Sequence, residues 1–399
     1  MAKKTQKISD VGLTYMKELG FRSVGSVNVA FDRISSVADK ELVDNLITVI
    51  DDVHNERGNY SQFDLYTAKN ATLDLSLMLS STYRADFYRK ICNWVASHKE
   101  LFGKCILDLG CDCGIMSCFL ARQFPDSHII AIDIIPSAIE NAKQLAARLH
   151  VDNVKFLCVD AFSFDKPVDT VFSMFVMHDL ADSVDDNCRS MNFNDIAKYW
   201  MPALDRILSH LSQILSVGSN LISVGGESFF SVSSPSFLSY LYSLYSHGFF
   251  LKSYDEFSAK QFDSFIELYC SVSYRDGSLT AESFSYEAIF NLFVSDFVSK
   301  KYDLRKSEYF GFEAKLMKDV CCGDLVRGFL IGESFGYCEL SVWRDKLISN
   351  SFILFSTEGD EHFTRVKSKD LPRIFERIRD VYDVKSSEIG STIQWQKLE

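Results

Sequence analysis

With 399 residues, 47% of them hydrophobic, the chain is long enough for two or three domains with their own cores. A net charge of −12, with no basic patch and with pairs such as Lys300-Lys301 and Arg305-Lys306 short and interrupted by Asp303, disfavours a nucleic-acid partner. No stretch approaches 18 continuous apolar residues, so no membrane span is expected, and eleven cysteines without a C-x-x-C pair argue against a zinc ribbon and for free thiols in a reducing, cytoplasmic setting.

In chain order, the basic start Met-Ala-Lys-Lys-Thr-Gln-Lys is followed by no apolar segment of the secretory kind. Val37 to Val53 carries Leu42, Leu46, Ile47 and Ile50 on one stripe and predicts a helix. Thr72 to Ala96 predicts another, with a break near Ser80-Ser81. Residues 1–84 therefore read as a helical extension, which either packs on the next domain or serves as a substrate lid or dimer arm.

From residue 104 short apolar strands alternate with helices, the signature of a parallel α/β sheet. Strands are expected at 105–109, 128–133, 154–158 and 168–174, with helices at 115–123 and 137–149 and a short one near 161–165. A long helix, Phe193 to Leu215, is expected to kink at Pro202 and to stop at Gly218. A strand at Leu221–Val224 and a helix at Pro235–His247 follow. The strands Phe249–Tyr254 and Phe265–Val272 then suit an antiparallel hairpin on one sheet edge.

Beyond residue 276 the pattern changes to a small α+β domain. Glu282–Lys300 predicts a helix, and 312–332 is ambiguous with a lean towards helix. Strands are expected at Tyr337–Trp343, Ser351–Ser356 and His362–Val366, and a helix at Leu371–Val381. The expected domains are thus 1–84, 85–275 and 276–399.

The chemistry concentrates between residues 104 and 133. Lys104-Cys-Ile-Leu-Asp-Leu-Gly-Cys-Asp-Cys-Gly114 is a strand running into a glycine loop that opens a helix, and Ile129-Ile-Ala-Ile-Asp133 is a second strand ending in an acid. This is the order of a nucleotide-binding βαβ unit. Gly110 and Gly114 allow positive φ, and Asp112 takes the middle position, where aspartate is among the few tolerated residues. Asp108 at the strand end would repel a pyrophosphate and suits a cationic or zwitterionic ligand. Together with the absence of G-x-G-x-x-G, it argues against a Rossmann oxidoreductase.

Asp108-Leu-Gly-Cys-Asp-Cys-Gly114, Ala131-Ile-Asp-Ile-Ile-Pro136, Val159-Asp-Ala-Phe162 and Val168-Asp-Thr-Val-Phe-Ser-Met-Phe-Val-Met-His-Asp179 resemble, in order and spacing, a class I S-adenosylmethionine-dependent methyltransferase over roughly residues 85–275. The resemblance implies a Rossmann-like sheet of seven strands, the last reversed, and S-adenosyl-L-methionine as cofactor. It implies that Asp108, Gly110, Cys111, Asp112 and Gly114 hold the methionine part and that Asp133 binds the ribose hydroxyls. Ile134, Asp160, Ala161 and Phe162 would surround the adenine, and Met174 and Phe175 would complete the lining. Asp133 and Asp160 also suit the plainer role of turn or helix-cap acids.

Met177-His-Asp-Leu-Ala-Asp182 resembles the His-Asp segment of plant-type small-molecule O-methyltransferases, with Leu180 where tryptophan is usual. That likeness implies His178 as general base, with Asp179 or Glu227 stabilising the imidazolium. Ser173-Met174-Phe175 stands where amino-group enzymes carry Asn/Asp-Pro-Pro-Tyr. The expected function is methyl transfer to a small-molecule or protein acceptor, at oxygen. An RNA methyltransferase, or a cofactor-binding scaffold without turnover, are the other readings. No metal is expected, and a homodimer or partner protein could engage the N- or C-terminal domain.

Overall fold

The computed structural model describes residues 10–22, 27–55, 57–180, 193–226, 234–262, 264–276, 308–310, 321–333, 336–346, 349–356 and 362–381, with Phe230, Lys318 and a few residues within 285–289. The chain divides into two compact units: 1–182 with 205–227 and 244–281, and 183–204 with 228–243 and 282–399.

The first unit is built on β1 (Cys105–Leu109), β2 (His128–Asp133), β3 (Val154–Cys158), β4 (Val168–Met174), β5 (Leu215–Gly226), β6 (Phe249–Gln261) and β7 (Ser264–Arg275). Their order is β3-β2-β1-β4-β5-β7-β6. The first five are parallel, and β7 runs antiparallel to β5 and β6. This is the seven-stranded Rossmann-like sheet with a reversed last strand. β1 is buried from Ile106 to Leu109, as expected of a central strand covered on both faces.

The strand bounds of β1 to β4 match the sequence expectation. The preceding helix ends at Ile214, within one residue of expectation, and β5 is longer than expected because it starts directly after it at Leu215 rather than at Leu221 and runs on to Gly226. Gly218, at φ +87°, instead lies where the β4–β5 register slips between Val168 and Thr170.

The helices are α1 (Val11–Glu18), α2 (Val27–Val37), α3 (Lys40–His54), α4 (Gln62–Lys69), α5 (Leu73–Ser97), α6 (Ile115–Gln123), α7 (Pro136–Arg148), α8 (Met177–Leu180), α9 (Phe193–Ile214) and α10 (Pro235–Ser246). α9 runs through Pro202. The helix expected at 37–53 is α3, which starts at Lys40, while Val37 is the last residue of α2. Asp39 is extended and caps α3 by accepting from the Leu42 N–H at 2.9 Å. The break in α5 falls at Arg84, not at Ser80-Ser81.

The N-terminal helices share the sheet's core. Tyr15, Leu77, Phe87, Ile91 and Val95 pack with Ile106, Phe119, Phe172 and Val224. Each such buried side chain contributes about 1.5–3 kcal/mol. α1 crosses α5 at Gly12, where a Cβ would lie 2.1 Å from the Arg89 carbonyl oxygen, so only glycine permits the approach. The Tyr15 hydroxyl donates to the Ile115 carbonyl at 2.8 Å and ties α1 to the start of α6.

The second unit holds β8 (Glu308–Phe310), β9 (Cys322–Glu333), β10 (Gly336–Asp345), β11 (Ser351–Ser356) and β12 (His362–Lys367), in the order β8-β12-β11-β10-β9, followed by α11 (Leu371–Val381). The ambiguous 312–332 stretch ends in a strand, not a helix. β9 pairs with β10 from Glu333↔Gly336 to Cys322↔Asp345, and that hairpin decides what the local pattern left open. The helix expected at 282–300 lies largely outside the described residues. Among the described residues no helix is long and apolar enough to cross a membrane. The nine cysteines whose thiols are described are free.

Candidate active site

After β1 the chain moves outward to β2 and β3, then returns to place β4 on the other side of β1. A crevice opens where such a sheet reverses its order, at the carboxyl ends of β1 and β4. The glycine loop fills one wall. Gly110, Asp112 and Gly114 have φ of +70°, +48° and +82°, so Asp112 adopts the left-handed conformation expected of it. A Cβ at Gly110 would lie 2.2 Å from Cγ2 of Val176, so the loop also needs glycine for space.

The acids are held by different means. Asp108 is 2% exposed and accepts from the Ser117 hydroxyl at 2.5 Å. Burial pushes its carboxyl up to about 7. Asp133 accepts from the N–H groups of Asp112 and Ile135, both at 2.9 Å, and burial raises it too. Burial would also raise Asp112, but the Lys69 ammonium at 2.6 Å and the Asn70 amide at 2.7 Å outweigh it and hold the carboxyl below its ordinary range. Asp160 accepts from the Phe162 N–H at 2.8 Å and caps the short turn Ala161–Ser163. The Cys111 thiol is pushed well up by burial, which makes it a poor nucleophile.

These groups surround a cavity of about 340 Å³. Asp108, Gly110, Cys111, Asp112, Asp133, Ile134, Asp160, Ala161, Met174, Phe175 and Asp179 line it. Gly114 does not; it precedes the first turn of α6. Phe162 does not either, because its ring packs edge-on against His210, with the Arg206 guanidinium 4.1 Å above it. His178 lies in α8 with its side chain outside the described residues, and Glu227 lies outside them altogether.

Sequence reasoning missed a whole wall. α4 and α5 add Tyr66, Lys69, Asn70, Arg84 and Tyr88 to the lining. The Tyr66 hydroxyl donates to Asp179 at 2.9 Å. Ser61 and Asp64 form a capping box, a local signal that could have located α4, though not its target.

A family profile described as a methyltransferase domain matches residues 102–221. This domain belongs to the class I S-adenosylmethionine-dependent methyltransferases. Its cofactor is S-adenosylmethionine. The fit is visible in the cavity: carboxylates for a cationic ligand, a loop without side-chain bulk, and the half-exposed Ile134 beside Asp133.

The methyltransferase domain has curated relatives. It is similar to the malonyl-[acyl-carrier protein] O-methyltransferase of Acetivibrio thermocellus, 37% identical over 79 residues, which are 19% of this chain and 27% of that protein. It is also similar to the tRNA (guanine-N(7)-)-methyltransferase of Rubrobacter xylanophilus, 34% identical over 67 residues, 16% of this chain and 30% of that protein. The chain thus spans less than a third of either relative's length. Among solved structures, the N-methyltransferase NodS of Bradyrhizobium japonicum aligns over 47% of this chain and 87% of its own, at 14% identity and a TM-score of 0.35.

Proposed function

We propose that the protein transfers a methyl group from S-adenosylmethionine to a small-molecule or protein acceptor, at an oxygen, with His178 as general base. The observation that carries the reading is the acid excess of the cavity: Asp108, Asp112, Asp133, Asp160 and Asp179 against Lys69 and Arg84. Such a lining favours a sulfonium and an ammonium and opposes a pyrophosphate. The relatives named above act on different acceptors, so the shared segment speaks for the cofactor alone.

When bound, the cofactor supplies an electrophilic methyl group. The chain's own work is binding, orientation and proton removal. Asp133, fixed by two backbone donors, is poised to accept from a ribose diol. Ile134 and Ala161 offer apolar contact to a flat base, and Asp160 stands beside it. Met174, Phe175 and Asp179 border the place where an acceptor must approach in line. His178 takes a proton from the acceptor hydroxyl, while Tyr66 holds Asp179 next to it in the chain.

S-adenosylhomocysteine should raise the melting temperature, by about 2.7 kcal/mol of stabilisation at a hundred times its Kd. No shift at millimolar ligand would sink the reading. Asp133→Ala should weaken binding. His178→Ala should bind normally and lose roughly 10²–10⁴ in turnover on a panel of hydroxyl acceptors; unchanged turnover removes His178 as base.

A further inference from the structure

Gln62, Phe63, Tyr66, Lys69 and Asn70 of α4 all line the cavity. Steps of three and four put them on one face, so the helix lies lengthwise along the opening. Its C-terminal half meets the glycine loop, where Lys69 and Asn70 both hold Asp112. Its N-terminal half meets α8 beyond β4, where the Tyr66 hydroxyl donates to Asp179 at 2.9 Å. Burial and the neighbouring carboxylate keep that hydroxyl protonated, so it stays a donor.

Among the described residues, two large apolar side chains of the lining are half-exposed, Ile134 and Phe63, and they stand apart. Ile134 follows β2, whereas Phe63 is on the half of α4 that reaches α8. β2 and β4 flank β1 on opposite sides, about 10 Å from each other. Ile134 belongs with Asp133 and Asp160 to the adenosine end, which has no use for Phe63. An exposed ring at the cavity mouth, with the rings of Tyr66 and Phe175 and the side chains of Val176 and Leu180 in the same lining, is apolar surface for a second ligand. The acid at this end is Asp179. The two cations of the lining act on Asp112 at the other end, and Arg84 is stacked on the Phe175 ring at 4.7 Å.

We propose that Phe63, Tyr66 and Asp179 form the acceptor subsite, and that it selects a flat aromatic hydroxyl compound carrying no negative charge. The inference deepens the proposed function and rests on it for the cofactor and for oxygen as the acceptor atom. The two rings of α4 supply an apolar wall. Asp179, held by Tyr66, admits a neutral or cationic molecule and repels a carboxylate or a phosphate. The acceptor is thus read by a helix outside the segment 102–221 that the methyltransferase profile covers.

The test uses three probes of one shape: 4-hydroxybenzamidine, 4-hydroxybenzamide and 4-hydroxybenzoate, which are a cation, a neutral molecule and an anion. Each is titrated calorimetrically into the full-length protein saturated with S-adenosylhomocysteine. The first two should bind, and the benzoate should bind about tenfold weaker than the amide or worse. In Asp179→Asn that ratio should fall to within about twofold. In Phe63→Ala the amide should bind about tenfold weaker. Both side chains are exposed, so both variants should fold and bind S-adenosylhomocysteine as the parent does. Equal affinity for benzoate and amide, no binding of any probe, an unchanged ratio in Asp179→Asn or unchanged amide binding in Phe63→Ala overturns the proposal and leaves the cofactor reading standing. Loss of S-adenosylhomocysteine affinity in either variant shows a structural role for that residue and overturns it as well. Failure of S-adenosylhomocysteine to bind the parent overturns the cofactor reading itself.

Discussion

Asp108 is a carboxyl group almost without water around it, and its folded pKa of about 7 stands above the ordinary 3.8. Between those values the folded chain holds a proton that the unfolded chain has released. Stability from this group is therefore fully present below about pH 4 and is lost as pH rises towards 7. Asp108→Asn should remove that slope. In urea unfolding, the variant should gain on the parent by about 1–3 kcal/mol between pH 5 and pH 8. A constant difference would show that Asp108 does not titrate there. The ionised form attracts a cation, so affinity for S-adenosylmethionine should rise with pH through about 7 in the parent and stay flat in the variant. At this scale the sequence was informative wherever a residue's role is local. Asp112 was legible as a left-handed loop residue because so few side chains tolerate that conformation. Lys69, which holds it, was not, because 43 residues of chain separate the pair.

α4 is an element with little apolar periodicity, and tertiary contacts give it its place. Asn70, at its end and 1% exposed, is the junction. Its amide donates to Asp112 at 2.7 Å, its side-chain oxygen accepts from Ser76 at 2.9 Å, and its carbonyl accepts from Asn141 at 2.9 Å. Asn70→Ala leaves Asp112 short of one donor and the Ser76 hydroxyl without its acceptor. It should cost about 2–3 kcal/mol in urea unfolding and weaken S-adenosylhomocysteine binding. A cost below about 0.5 kcal/mol would mean that α4 is held by other contacts. The elements that could be read directly were β1 to β4, since each is a short apolar run ended by a glycine, an acid or a turn. β9 could not, because Gly323, Gly328 and Gly332 weaken any local preference and only pairing with β10 resolves it. The α2–α3 boundary was within reach, since Asp39 before Lys40-Glu41-Leu42 is a helix-start signal.

Across the whole molecule, every residue lining the cavity belongs to the first compact unit. The second unit has its own buried charge pair, Arg365 with Asp345, whose side chains are 2% and 0% exposed and meet through two hydrogen bonds. Arg365→Met takes the guanidinium away from a buried carboxylate and should destabilise that unit by about 3–5 kcal/mol. Affinity for S-adenosylhomocysteine should not change; a weaker isotherm would show that the second unit supports the site. The strand order carries one more consequence. It leaves β6, thirteen residues long, on the rim of the seven-stranded sheet. A rim strand of that length is a template on which a foreign strand can add and aggregation can begin. Here two side chains of α5 occupy the template: Lys90 donates to the Ser258 carbonyl, and Asp86 accepts from the Lys260 N–H at 2.9 Å. Lys252, Glu256 and Lys260 add charge along the same strand, and a slip in register between Leu251 and Ser253 bends it. The helix that carries Arg84 into the cavity thus also shields the sheet against its own kind.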